Sequence, residues 1–215
     1  DVPPMPRAAT TALMAHPERP RLERFAESQL PTEYGDLRCV VFTDPKTGLE
    51  HVALCAGDVA GAEGLLTRVH SECLTGEVFH SLKCDCREQL DMALKRVGEA
   101  GQGLVLYLRQ EGRGIGLGNK IRAYAKQDEG YDTVDANRVL GFDDDLRRYD
   151  IAAAMLAALD VRSVRLMTNN PEKVTGLEAE GVVVTERVEH SAAAHAHNRE
   201  YLATKRTRMG HLLDE

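Results

Sequence analysis

The sequence feature that most restricts the fold is a change of apolar periodicity near residue 86. Before that point, short alternating or β-branched runs predict strands over residues 37–43, 51–55 and 65–70. Turn-forming residues at positions 44–48 separate the first two runs. We predict that these three runs form an antiparallel sheet.

After residue 86, predicted helices and strands alternate. Leu90, Ala93, Leu94 and Val97 recur at helical spacing, and Gly101 is a suitable C-cap for that helix. Further along the chain, the pattern predicts a strand over 103–108, a helix that follows the glycine-rich turn 111–116 and runs through residue 124, a helix over about 146–159, a strand over 164–167, a helix from residue 171 and a strand over 182–187. The fold class we predict is α/β (mixed α+β), one compact domain with an antiparallel N-terminal sheet and following strand/helix units.

The N-terminal residues differ in composition from the rest of the chain. Six of the eight prolines fall within the first 31 residues, where apolar periodicity is weak. We therefore predict a mobile N-terminal extension over residues 1–28 and a single folded domain over residues 29–215.

Charge and hydropathy exclude several classes of protein. The 27 Lys and Arg against 34 Asp and Glu give a net charge of −7, which disfavours general nucleic-acid binding. No apolar run reaches the roughly 18 residues that cross a bilayer, and the N-terminal residues do not resemble a signal peptide. We expect a cytoplasmic protein without nucleic-acid or membrane partners. Residues 68–122 are locally basic, with nine Lys or Arg against seven Asp or Glu, which suits a small anionic ligand.

Three of the five cysteines lie close together in the sequence. Cys84 and Cys86 are two residues apart, so an extended segment points both thiols to one side, and Cys73 can fold back toward them. Thiolates are preferred zinc ligands, and three protein ligands leave a fourth position open, as in catalytic zinc sites. One interpretation of the cluster is therefore a catalytic zinc site.

Two other interpretations of the cluster stay open. His70 or His80 could be a fourth ligand and close the site as a structural one. Alternatively, the thiols could bind no metal and pack as small apolar groups. The two remaining cysteines, Cys39 and Cys55, lie singly in apolar runs, which predicts core positions.

Two loops carry further candidates. The glycine-rich segment 109–116 lies between a predicted strand and helix, where backbone amides and arginines could bind phosphate, although a plain tight turn is the default interpretation. The segment 143–148 could be only the acidic start of a helix. Tyr124 could be a core or interface residue. His190, His195 and His197 lie in an alanine-rich stretch, which predicts solvated histidines rather than metal ligands.

Taken together, a series of motifs resembles the GTP cyclohydrolase II family. The similar segments are 68–76, 83–86, 109–116, 119–124, 131–137, 140–142, 168–171 and 209–213. They occur in order over about residues 28–213. The resemblance therefore covers nearly all of the domain at 29–215 and implies that it is catalytic.

This resemblance implies an activity and its cofactors. The family hydrolyses GTP to 2,5-diamino-6-(5-phospho-D-ribosylamino)pyrimidin-4(3H)-one, formate and diphosphate, the first committed step of riboflavin biosynthesis. It implies one Zn²⁺ per chain on Cys73, Cys84 and Cys86, Mg²⁺ with the triphosphate, and a homodimer. The open three-ligand site is thereby favoured over the closed one.

The resemblance also implies roles for individual residues. Nucleotide contacts are implied for Arg68, Val69, His70, Ser71, Glu72, Gln89, Glu111, Gly112, Arg113, Thr133, Thr168 and Lys173. Catalytic roles are implied for Tyr124, Asp145 and Arg147. A family proposal makes the arginine a nucleophile on the α-phosphorus. A guanidinium is a poor nucleophile, so we favour charge stabilisation. Either Glu72 or Glu111 could accept the donors of guanine.

The chain departs from the family pattern at a few positions. Gly118 stands where leucine is usual, and Glu189 and His190 replace a common Pro-Leu pair. No motif residue is lost. Three alternative functions remain: a paralogue in a specialised pathway with the same or a truncated reaction, a zinc enzyme acting elsewhere on a purine nucleotide, and a non-catalytic zinc-containing nucleotide-binding module.

Overall fold

In the computed structural model, the described residues are 19–143, 145–191, 203, 206–208, 210 and 212. Within them, seven strands form one sheet in the order β1-β2-β3-β5-β4-β6-β7. The strands are β1 Glu23–Thr32, β2 Gly35–Thr43, β3 Glu50–Ala56, β4 Leu65–Ser71, β5 Gly103–Leu108, β6 Val164–Met167 and β7 Val184–Val188. The helices are α1 Leu74–Glu77, α2 Cys86–Ala100, α3 Gly116–Asp128, α4 Thr133–Val139, α5 Asp150–Ala158 and α6 Pro171–Ala179, with a 3₁₀ turn at Glu111–Gly114.

The sheet is antiparallel on one side and parallel on the other. Strands β1, β2, β3 and β5 pair antiparallel in that order. Strand β4 pairs parallel with both β5 and β6, and β6 pairs parallel with β7. The predicted mixed α/β class is confirmed. The prediction that residues 65–70 join the antiparallel part is wrong, because α2 carries the chain back across the sheet between β4 and β5 and makes them parallel.

The boundary predicted for the N-terminal extension also needs correction. Residues 23–28 lie in β1, where Ala26 is opposite Val41 of β2. These residues therefore belong to the sheet and not to an extension. β1 is an edge strand, almost entirely exposed, so it shows no apolar alternation. The mobility predicted for residues 1–18 falls outside the described residues and stays a prediction.

Most other elements agree with the sequence pattern, with shifts at their ends. The helix predicted over 146–159 begins later, at Asp150, and the strand predicted over 182–187 lies at Val184–Val188. Two short helices, α1 and α4, were not indicated by periodicity. Each spans only about one or two turns, too few residues for a helical repeat to be recognised.

The core lies on both faces of the sheet. On β5, Leu104 and Leu106 belong to a buried cluster with Ile151 and Met155 of α5. The intervening Val105 belongs to a second cluster, which includes Ala93 and Val97 of α2. Successive side chains of this central strand thus pack against helices on opposite faces of the sheet, because successive strand residues point to opposite sides.

This topology brings several loops to one edge of the sheet. β4, β5 and β6 are parallel, and Ser71 pairs with Leu108 at the carboxyl ends of β4 and β5. The segments that follow these strands begin with Glu72, Arg109 and Thr168. The carboxyl end of a parallel sheet is where α/β proteins bind ligands.

Candidate active site

The three clustered cysteines converge in space. Cys73 follows β4 and precedes α1, whereas Cys86 begins α2. Their Sγ atoms and that of Cys84 lie within 4.8 Å of one another, and those of Cys73 and Cys84 are 3.6 Å apart. A tetrahedral zinc with Zn–S bonds of about 2.3 Å requires sulfurs about 3.8 Å apart. The cluster therefore has the ligand type and the spacing that zinc requires.

A glycine in α1 leaves the space for this cluster. A Cβ at Gly76 would lie 2.8 Å from Cys84 Sγ and 3.2 Å from Cys73 Sγ. Both distances are shorter than ordinary carbon–sulfur contacts. The close approach of α1 to the sulfurs thus depends on the absence of a side chain at residue 76.

Neither histidine considered as a fourth ligand joins the cysteine group. His70 is buried, with Nε2 2.7 Å from Glu77 Oε1, and its ring stacks on Tyr107 with 5.8 Å between centroids. Burial lowers the pKa of His70. His80 is exposed and contacts Arg87. Within the described residues, the group offers three protein ligands.

Lys120 of α3 contacts the cluster, a contact that sequence reasoning missed. Its Nζ donates to Cys73 Sγ at 3.0 Å and to Glu111 Oε1 at 2.7 Å. Burial alone would lower the pKa of Lys120, but these two hydrogen bonds raise it, so the ammonium stays charged. Hydrogen bonding within the cluster, with Cys84 and Cys86, and that from Lys120 lower the pKa of Cys73.

A cavity of about 120 Å³ opens beside the cysteines. Its lining includes Ser71, Glu72, Glu111, Gly112, Arg113, Tyr124 and Thr133 together with the three cysteines. Seven residues that the family resemblance implies as nucleotide-binding or catalytic are therefore brought together around one space. Thr133 reaches it from the start of α4, an element that periodicity did not indicate.

Two lysine side chains lie near the ring of Tyr124. The ammonium of Lys83 is 5.1 Å from its ring centroid, and that of Lys120 is 5.7 Å away. Burial raises the pKa of Tyr124 to about 12, although the nearby Lys120 charge acts in the opposite direction. The phenol is therefore protonated at neutral pH and can donate its proton.

Asp145 and Arg147 form a tight ion pair next to the glycine-rich turn. Arg147 Nε donates to both carboxylate oxygens of Asp145 at 2.9 Å. Burial would raise the pKa of Asp145, but the Arg147 guanidinium holds it below its ordinary value. Leu146 N donates to Arg113 O at 3.1 Å, so the pair is fixed against the turn that lines the cavity.

Comparisons with known proteins agree with this geometry. The sequence profile of the GTP cyclohydrolase II family matches residues 23–189. The chain is 54% identical over 192 residues to GTP cyclohydrolase-2 of Acinetobacter baumannii (strain SDF), covering 89% of this chain and 96% of that one. It is 53% identical over 193 residues to GTP cyclohydrolase-2 of Cronobacter sakazakii, covering 90% and 98%.

The chain belongs to the GTP cyclohydrolase II family. It is a hydrolase of that family. It is also 52% identical over 199 residues to the Riboflavin biosynthesis protein RibBA of Endomicrobium trichonymphae, covering 91% of this chain but 49% of that one. The chain thus spans about half the length of the RibBA relatives and nearly all of the GTP cyclohydrolase-2 relatives.

The remaining positions for which the resemblance implies nucleotide contacts do not line the cavity. Arg68 is buried and donates to Met167 O at 2.8 Å and to Gln89 Oε1, and burial lowers its pKa to about 10. Lys173 Nζ donates to Val69 O at 2.8 Å. Thr168 Oγ1 accepts from Asn170 N at 3.0 Å. Together with His70, these residues lie near the carboxyl ends of β4 and β6.

One prediction about the histidines is wrong. His190 is 1% exposed, with Nε2 2.8 Å from Gln89 O, and is not solvated. Its backbone N–H donates to Asn169 Oδ1 at 3.0 Å. This bond links the segment after β7 to the segment after β6. His195 and His197 lie outside the described residues.

The two single cysteines differ in burial. Cys55 is buried as predicted, whereas Cys39 is half-buried.

Among the described residues, none of the helices combines the length and apolar character that crossing a bilayer requires.

Proposed function

We propose that this chain is a zinc-dependent GTP cyclohydrolase II. It converts GTP to 2,5-diamino-6-(5-phospho-D-ribosylamino)pyrimidin-4(3H)-one, formate and diphosphate, as the first committed step of riboflavin biosynthesis. The observation that carries the proposal is the convergence of three thiols beside a cavity lined by Tyr124, Glu111 and Arg113. Family membership makes GTP the substrate to test.

The three thiols would hold one Zn²⁺, which supplies a Lewis acid with one open position. Tyr124 is protonated at neutral pH and points from α3 into the same cavity, so it can donate a proton as the imidazole ring opens.

The phosphates would bind at the glycine-rich turn. Arg113 lines the cavity, and Arg147 is fixed beside the turn by its bidentate pair with Asp145. A guanidinium held in this way remains charged and can stabilise charge on the transferred phosphates without acting as a nucleophile. Mg²⁺ would enter with the triphosphate, since it favours phosphate oxygens.

The proposal includes a cytoplasmic homodimer. We favour the edge strand β1 as the surface that contacts the second copy. Nearly all its residues are exposed, including the apolar Phe25 (65% exposed) and Leu30 (43% exposed). An exposed edge strand with apolar side chains is a typical site of association between chains. Light scattering of the full chain at several concentrations tests this part.

The function is tested by incubating the zinc-loaded chain with GTP and Mg²⁺ and measuring formate, diphosphate and the pyrimidine together. All three products in equal amounts are expected. Purine hydrolysis or deamination without formate would identify a zinc enzyme that acts elsewhere on the base. Binding of GTP without any product would identify a non-catalytic module. The same incubation with a zinc chelator is the control for metal dependence.

A further inference from the structure

The side chain of Lys120 connects two parts of the site. Its Nζ donates to Cys73 Sγ at 3.0 Å and to Glu111 Oε1 at 2.7 Å, and the side chain is only 11% exposed. The family resemblance includes this lysine in segment 119–124 but implies no role for it. Its partners are a member of the sulfur cluster and a carboxylate that lines the same cavity.

The Glu111 carboxylate is held in one orientation by three donors. Leu74 N donates to Oε2 at 2.7 Å, and Gly112 N donates to Oε1 at 2.9 Å. Lys120 is the third donor and the one that brings a full positive charge. Two of these donors come from the backbone, so a substitution at residue 120 removes the one charged hydrogen bond and leaves Glu111 with two neutral ones.

The charges of the site explain why a lysine is needed there. Three thiolates with one Zn²⁺ carry a net charge of −1, and the buried Glu111 carboxylate adds another negative charge. Buried like charges are costly unless a cation with good hydrogen bonds lies between them. Lys120 has this position, since it donates to a group on each side.

We propose that Lys120 is a positioning residue that strengthens zinc binding by the cysteine cluster and fixes Glu111 toward the cavity. The inference rests on the proposed zinc function. Groups that hydrogen-bond to metal ligands orient them and compensate their charge, and their removal typically weakens metal binding by about 10- to 100-fold.

The test compares Lys120→Met with the wild-type chain. Methionine keeps the length and apolar stem of lysine but removes the charge and all donors. Zn²⁺ affinity is measured by competition with a chelator of known affinity, without substrate. We expect about 10- to 100-fold weaker binding for Lys120→Met. Lys126→Met is the matched control, because Lys126 lies on the same helix and pairs with the exposed Glu129. Its Zn²⁺ affinity should equal that of the wild type.

Lys120→Arg separates charge from side-chain packing. It restores a cation and several donors, so it should recover part of the lost Zn²⁺ affinity. With zinc at saturating concentration, Lys120→Met should still show a lower kcat/KM for GTP, because Glu111 has lost one of its three donors. Circular dichroism of the metal-free variants verifies folding, and Lys120→Gln replaces Lys120→Met if the latter does not fold.

The outcomes distinguish this inference from the function on which it depends. If the wild type binds one zinc and Lys120→Met binds it equally tightly, the role of Lys120 is refuted while the zinc site stands. A wild-type chain that binds no zinc refutes both. A wild type that binds zinc but makes no formate refutes the proposed reaction alone, since the zinc measurement does not use substrate.

Discussion

Cys84 is one of the three cysteines of the sulfur cluster and belongs to neither of the two buried apolar clusters. Its Sγ is 3.6 Å from that of Cys73, and the contact with Cys73 together with burial raises its pKa to about 11. A bound metal has to displace this proton, because thiolates and not thiols ligate zinc.

Substitution of Cys84 by serine should therefore remove zinc or prevent its correct binding. A hydroxyl is a poor zinc ligand, so we expect less than one zinc per chain and a loss of formate production by orders of magnitude. Zinc is measured by metal analysis, and formate by an enzymatic assay. Cys39→Ser, at a half-buried position of β2, is the control and should retain both. Full zinc content with normal formate in Cys84→Ser would exclude the proposed ligand set.

Arg147 is expected to act on the phosphates and not on the ring. Arg147→Ala removes a fixed cation and leaves the half-buried Asp145 without this partner. If the loss resembles that of one oxyanion donor, diphosphate release falls about a hundredfold, or about 3 kcal/mol. Formate should fall less. The two products are assayed separately, with zinc content measured in each sample. Equal loss of both would mean that Arg147 positions the whole nucleotide.

The site residues differ in how far sequence could predict them. The cysteine cluster was predictable, because thiols two residues apart in a polar segment are typical of metal ligands. Lys120 was not, since it reaches Cys73 from α3, 47 residues further along the chain. A lysine in a helix is usually solvated, and only the folded chain places this one against Cys73 and Glu111.

Among the elements, α1 shows how a short helix can determine the site. It spans only Leu74–Glu77, and its Gly76 packs directly on two sulfurs. Its position is fixed from outside by the bond from Leu74 N to Glu111. The position of the cysteine sulfurs therefore depends, through α1, on the position of Glu111 in the 3₁₀ turn.

Gly76→Ala should disturb this packing. The new methyl would lie 2.8 Å from Cys84 Sγ, so either the helix or the sulfur must move. We expect weaker Zn²⁺ binding than wild type, measured by chelator competition. Gly118→Ala in α3 is the matched control, since no atom lies within 4 Å of its added Cβ. That variant should bind zinc normally and gain roughly 0.5–1 kcal/mol of stability from the better helix former. Unchanged zinc affinity in Gly76→Ala would show that the cluster is more adaptable than its spacing indicates.

Sequence missed the strand β1 and the pairing direction of β4, each for a physical reason. In β1, the charged and polar residues of Glu23–Thr32 are exposed, so backbone pairing with β2 holds the strand in place of apolar burial. In β4, the apolar run identifies a strand but carries no information on the direction of its neighbours. That direction follows from the path of α2, which is a property of the whole chain.

At the scale of the whole molecule, a buried polar chain joins the last strand to the site. His190 Nε2 contacts Gln89 O, and the Gln89 side chain bonds both Arg68 and Asp85. Asp85 lies between Cys84 and Cys86. The segment after β7 is thus connected through Gln89 of α2 to Asp85, the residue between two of the three thiols.

His190 should make the fold sensitive to acid. Burial and the nearby Arg68 charge lower its pKa from 6.5 to about 3. The unfolded chain therefore binds a proton between these values that the folded chain does not, so stability is complete above pH 6.5 and falls as pH drops toward 3. At pH 5 this group alone accounts for a loss of about 2 kcal/mol. Burial also lowers the pKa values of His51 and His70, which add to the effect in every variant that retains them.

His190→Gln tests this contribution, because glutamine can donate to Gln89 O but does not titrate. We expect the difference in unfolding free energy between pH 7.5 and pH 5 to shrink by about 2 kcal/mol relative to wild type. Urea denaturation at both pH values, at one fixed zinc concentration, gives this difference. His80→Gln is the control, since His80 is exposed and its replacement should leave the difference unchanged. If His190→Gln and wild type show the same pH dependence, His190 is protonated to the same extent in the folded and unfolded chains. That result would contradict the lowered pKa that burial and the Arg68 charge give this histidine.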